Sequence, residues 1–130
     1  MSLVNYHSRM FLIVDNTEEE KIIFSFWVDK KFVQRTLKSN KGVLVCLEKL
    51  LSSLGLKLKD VDCLGAVMGV GRFTPTRLAV TAVNTLAYSL KIPVVALPKN
   101  FDEALAIKLA KSAVVGKYVM PTYSAEARIG

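Results

Sequence analysis

The sequence holds a single histidine, His7, among 130 residues, and this scarcity removes most hydrolytic chemistry. A Ser-His-Asp or Cys-His nucleophile needs an imidazole base, and His7 lies in the polar opening stretch 1–9, which reads as a tag or a frayed, disordered terminus. Cysteine is nearly as scarce. A zinc centre gathers several His, Cys or carboxylate ligands, and Cys46 and Cys63 have no partners at ligand spacing, so no metal site is expected. One falls in an expected helix and the other beside an expected strand, where cysteine packs as a small apolar residue in a reducing cytoplasm. Long apolar runs are missing: none approaches the roughly 18 residues of a membrane span. The start has no apolar h-region of a secretory signal. A cytoplasmic protein without membrane contact is the expectation. Internal repeats and low-complexity tracts are also absent.

Acidic residues are in deficit, eleven against eighteen Lys and Arg, for a net charge of +7. Such a balance suits a nucleic-acid surface when the cations cluster. Here the lysines are scattered, no run exceeds two, and aromatics do not interleave with them as stacking platforms. The charge reads as a solvated basic surface, with tRNA or other RNA met only indirectly, through a larger assembly.

What is present is a globular pattern. Half of the residues are hydrophobic (52%), enough for one domain with a modest core. The continuous apolar run Met10-Phe11-Leu12-Ile13-Val14 predicts a strand buried on both faces, ended by the turn formers Asp15-Asn16-Thr17. The stretch 22–28, rich in β-branched and aromatic residues, predicts a second strand. The more polar 32–37 predicts a third strand at an edge. Short turns between the three imply an antiparallel meander. The segment 39–42 can cap a helix over 42–54, with Gly55 as its left-handed C-cap.

The organising stretch runs from Leu64 to Pro98: apolar run, glycine turn, helix, apolar run, the pattern of a βαβ unit. Thr74 is expected as N-cap and Pro75 at the first helical position. Asn100 with Glu103 resembles a capping box opening a third helix to about Ser112, with Leu105 and Leu109 inward. Ala113 to Met120 reads as a short strand or an extended tail.

The first two helices carry wide apolar stripes, over arcs of roughly 160° and about 200°. A helix resting on a sheet uses a stripe of about 100° or somewhat more. Two readings fit the surplus: burial inside the domain, or contact with a helix of another polypeptide. For chemistry, Gly69-Val70-Gly71 is the best phosphate candidate, because glycine lets backbone N–H groups approach an anion at a helix start. Neither a third glycine nor a lysine follows, so neither dinucleotide nor P-loop signature is complete. Asp15, at the end of the first strand, is placed to hold magnesium through water, or acts simply as a turn former.

Together, Leu12-Ile13-Val14-Asp15-Asn16-Thr17 and Gly69-Val70-Gly71-Arg72-Phe73-Thr74-Pro75-Thr76-Arg77 resemble the TsaB (YeaZ) family. That family carries Asp-Thr-Ser after its first strand and Gly-Pro-Gly-Ser-Phe-Thr-Gly-x-Arg before its second helix. Asp15, Gly69, Gly71, Phe73, Thr74 and Arg77 match. Val70, Arg72 and Pro75 depart from the loop, Asn16 stands for the family threonine, and Val45 for a proline in the first helix. The resemblance spans about Met10 to Leu105, and Glu126-Ala127-Arg128 resembles the opening of the second TsaB half.

The resemblance implies an α/β, ribonuclease H-like half of an actin-like (ASKHA) fold: a mixed sheet with an antiparallel three-strand meander plus parallel strands, and helices packed on it. Residues 10–120 would form the N-terminal domain, and 121–130 the start of a missing second half, or a tail. It also implies a non-catalytic role in tRNA threonylcarbamoyladenosine formation. Partners would be a second copy, a TsaD-like paralogue that keeps metal-binding histidines this chain lacks, and a TsaE-like ATPase. The seam would be a helical bundle carrying Val43, Leu47, Leu50, Leu54, Leu78, Ala82, Val83 and Leu86. No cofactor is expected; ATP with magnesium would sit at Asp15, Gly69, Gly71 and Thr74. Two other functions fit the residues: a nucleotide-binding fragment of an actin-like ATPase or kinase-fold enzyme, and a basic RNA-binding module.

Overall fold

The computed structural model describes residues 10–18, 20–28, 31–38, 42–68 and 73–119, with backbone alone for 73–76. The opening stretch with His7, the reversal at Asp29-Lys30, most of the segment expected to cap the first helix, the turn carrying Gly69 and Gly71, and the tail 121–130 lie outside these residues.

Five strands form one sheet: β1 (Met10–Asp15), β2 (Lys21–Val28), β3 (Lys31–Lys38), β4 (Cys63–Met68) and β5 (Val94–Pro98), in the spatial order β3-β2-β1-β4-β5. β1 pairs antiparallel with β2 (Leu12 opposite Phe26) and β2 antiparallel with β3 (Trp27 opposite Phe32). β4 joins the other side of β1 in parallel (Ile13 opposite Gly65), and β5 follows in parallel (Gly65 opposite Val95). This is the expected meander extended by parallel strands. β1 is buried along its whole length, because helices cover both faces of the sheet centre.

Helices α1 (Val43–Ser53) and α2 (Phe73–Leu90) lie on one face and α3 (Glu103–Ser112) on the other. The larger core unites Leu12, Val14, Phe24, Phe26, Leu64 and Ala66 with Cys46, Leu47 and Leu50 of α1 and Val80, Val83 and Ala87 of α2. The smaller core sets Phe11, Ile13, Trp27, Val67 and Leu97 against Ala106 of α3. With one helix on this second face, the β2–β3 half stays open, and the edge residue Phe32 is 45% exposed.

The ends of the helices differ in detail from the sequence reading. α1 stops as expected: Gly55 has φ 71, Gly55 N–H bonds the Ser52 carbonyl and Leu56 N–H the Leu51 carbonyl, a Schellman close. Its N-cap, Gly42, makes no side-chain cap hydrogen bond. α2 starts at Phe73, so Thr74 lies inside the first turn and is not the N-cap. α3 is capped by Asp102, whose Oδ1 accepts from Leu105 N–H at 2.8 Å, and not by Asn100. Asn100 sits in a turn closed by Phe101 N–H to the Pro98 carbonyl, which displaces the helix start by two residues.

Residues 113–119 form no strand; they make a strap broken by a turn, with Lys117 N–H bonded to the Val114 carbonyl and Gly116 at φ 97. Ala113 packs with the smaller core and Val119 with the larger one. Asn84 of α2 clamps the strap at both poles of the Val119 peptide: Nδ2–H donates to the carbonyl at 2.8 Å and Oδ1 accepts from N–H at 2.9 Å. Tyr118 leans on Tyr88, with ring centroids 6.5 Å apart.

Candidate functional site

β1, β4 and β5 are parallel, so their C-terminal ends converge on one rim of the sheet, where open α/β sheets place ligands. Asp15 ends β1 there and is buried. Its Oδ1 accepts from Thr17 N–H at 2.9 Å and from Thr17 Oγ1–H at 2.6 Å. Its Oδ2 accepts from Lys99 Nζ at 2.8 Å. Alternation along β1 and β5 puts Asp15 and Lys99 on the same face, and the long lysine chain crosses above β4 to bring them together. Lys99 also reaches Glu18 Oε2 at 2.7 Å, and Glu18 Oε1 meets Lys21 at 3.0 Å. The β1–β2 turn is thereby latched to the end of β5.

The charges respond to this arrangement. Hydrogen bonds from Lys99 and then Lys21 hold the Glu18 carboxyl down at about 2. Partial burial works against the charge on Lys99, but its bonds and attraction to Asp15 and Glu18 outweigh that and raise its pKa above the ordinary lysine value. Sequence reasoning missed Lys99. The available signal was a lysine directly after a parallel strand, two residues past the inward Leu97, but Asp15 is two strands away and spacing does not reveal the pairing.

Of the residues expected to hold a nucleotide, Asp15 stands at the rim and Thr74 in the first turn of α2, at the same end, while Gly69 and Gly71 lie outside the described residues. The fit of a magnesium nucleotide to Asp15 is poor. Both carboxylate oxygens already accept strong donors, one of them a cation, and the described residues contain no group of three or more His, Cys, Asp or Glu able to hold a metal ion.

The expected partner seam divides. Val43, Leu47, Leu50, Val83 and Leu86 are buried in this chain's own core, at most 9% exposed, because α1, α2 and the sheet close over them. Leu54 and Ala82 are half-buried, and Leu78 stands 58% exposed. Leu44 and Val45, not included in the seam by the sequence reading, are 42% and 44% exposed. Both helices run antiparallel to β1 and β4, so their starts, bearing Leu44, Val45 and Leu78, sit at the same end of the layer.

The cysteines are packing residues. Cys63 is buried, its thiol pushed up to about 12 by burial and then by the negative charge of Asp62. At pH 8 the thiolate is scarce. Cys63 is expected to resist iodoacetamide in the native protein and to react in guanidinium; mass spectrometry of labelled peptides checks this, and rapid native labelling contradicts it.

A mixed five-stranded sheet with two helices on one face, a third on the other, and a carboxylate ending its central strand defines one half of an actin-like fold. The chain belongs to the family described as TsaD: tRNA N6-adenosine threonylcarbamoyltransferase, whose model matches residues 37–114, more than half of the sequence. Among solved structures, it is similar to YeaZ from Pseudomonas aeruginosa at 25% identity and a TM-score of 0.61, over 68% of this chain and 42% of that one. An uncharacterized protein with similarity to peptidase YEAZ, from the same organism, gives 25% identity and 0.60, over 68% and 43%. The chain thus spans less than half the length of these relatives. No curated protein matches it. Asp15, Glu18 and Lys21 lie outside the stretch matched by the family model, and Lys99 lies inside it.

Proposed function

We propose that this chain is the actin-like N-terminal half of a TsaB-type protein. It acts as a non-catalytic scaffold or activator of a TsaD-like enzyme in threonylcarbamoyladenosine modification of tRNA. It docks through the outer face of the α1–α2 layer and self-associates there when alone. The observation that carries this reading is the apolar surface left after the core is satisfied: Leu44, Val45 and Leu78, all more than 40% exposed at one end of the layer. Large apolar side chains grouped at one end of a helix pair suit a partner helix, while α1 and α2 remain fixed to the sheet beneath.

Leu78 is the residue to test, because Leu86 is buried and its substitution would damage the core. Leu78→Glu is expected to leave the fold intact and to reduce self-association and capture of a TsaD-like partner at least tenfold, about 1.4 kcal/mol. Light scattering and a titration against the partner measure this. Unchanged dimer mass and unchanged affinity would move the interface elsewhere.

A further inference from the structure

On the face opposite the α1–α2 layer, between α3 and the open half of β2–β3, runs a groove of about 380 Å³. Its floor is mixed, with Ile23, Ser25 and Gln34 beside an aromatic end. Trp27 stacks on Phe11 with centroids 5.3 Å apart and planes 17° apart, and Phe32 tilts against Trp27 at 4.8 Å. Phe32 is 45% exposed beside the indole, and Phe101 also lines the groove.

The rim is acidic. Asp102 and Glu103 stand side by side at the start of α3. Each gives one oxygen to its own chain, Asp102 Oδ1 to Leu105 N–H and Glu103 Oε2 to the Trp27 indole N–H at 2.8 Å. Among the described residues the second oxygens have no partner. Lys99, at the far end, is neutralised by Asp15 and Glu18. This concavity is negative on a chain of net charge +7.

We propose that the groove receives an arginine side chain from a partner polypeptide. A flat cation meets both halves of the site: its face lies on Phe32, as guanidinium does on aromatic rings, and its fork of N–H donors reaches adjacent carboxylates. An ammonium is also drawn to the ring, but it cannot stack flat on it or present a fixed fork to two carboxylates. The volume admits a long side chain, and Phe32 and Gln34 of β3, the terminal strand of the sheet, line the groove, so a partner segment can approach at the sheet edge. The site stands apart from the α1–α2 surface, so its failure leaves the proposed function untouched.

Trp27 is the only tryptophan of the chain and donates to Glu103, so its fluorescence reports on the groove directly. The test titrates N-acetyl-arginine-methylamide and its lysine counterpart at constant ionic strength. The arginine probe is expected to give a saturable change, and the lysine probe one at least threefold weaker, as cation stacking implies. Phe32→Ala should weaken the arginine response about fivefold through lost stacking. Glu103→Gln and Asp102→Asn, which keep the acceptors for Trp27 and the helix cap, should do so by a similar factor through lost charge. A non-saturating response, equal responses to both probes, or an arginine response unchanged in all three variants overturns the proposal.

Discussion

Gly65→Val is expected to destabilise this protein by about 3 kcal/mol, with a melting temperature roughly 10 °C lower. Gly65 lies in mid-β4 between Ile13 of β1 and Val95 of β5, facing the smaller core. A Cβ built there meets Leu97 Cδ1 at 2.7 Å, Ile13 Cγ1 at 3.1 Å and Phe11 Cε1 at 3.5 Å. The tip of a leucine can normally turn aside, but Leu97 is 1% exposed and Ile13 0%, so neither has free space to enter. Valine adds two further methyl groups to a site already closed to one. Alanine should lie between the two. Thermal unfolding followed by circular dichroism reads the effect; a shift under about 2 °C for valine would mean that the α3 face repacks freely.

Lys99→Met is expected to destabilise by about 2 kcal/mol, through Asp15 more than through the lysine itself. The Asp15 side chain is 10% exposed and loses its only cationic donor among the ion pairs described, keeping Thr17 alone. A fully buried orphan charge would cost more; Lys99 is 44% exposed, so water reaches the vacated place and limits the loss. The double variant Asp15→Asn, Lys99→Met should recover at least half of the deficit, because the amide oxygen still accepts from Thr17 and no charge is stranded. If the two substitutions add, Asp15 and Lys99 do not act as a pair. Acid gives a second check. The Glu18 carboxyl sits lower in the folded chain, at about 2, than its ordinary 4.5. Its contribution is therefore present above about pH 4.5 and fades as pH falls toward 2, and Lys99→Met should lose the larger part of this acid sensitivity, the Lys21 pair keeping the rest.

Several features of the fold were legible in the residues. The unbroken apolar run 10–14 predicted a strand covered on both sides, and it is buried throughout. The polar stretch 32–37 predicted an edge, and β3 is one. Gly55 predicted the left-handed close of α1, where it has φ 71. These succeed because a strand's two faces, an edge, and a glycine at positive φ each leave a local mark. The cap of α3 failed because two acceptors stood close together. Asn100…Glu103 fits the capping pattern, yet Asp102 takes the cap and Glu103 goes to an indole 76 residues away in sequence.

By itself, then, the sequence determined the order and type of the elements, the meander with its parallel extension, and the family, since periodicity, turn chemistry and motif spacing are all short-range. Only the tertiary structure decided which apolar residues were left over. It enclosed Leu47, Leu50 and Val83, bound Val119 to Asn84, and left Leu78, Leu44 and Phe32 outside. It also joined Lys99 to Asp15 and Trp27 to Glu103. The reason is geometric: a helical stripe says how much surface is apolar, but the neighbours that cover it come from distant parts of the chain and are fixed only when sheet and helices close together.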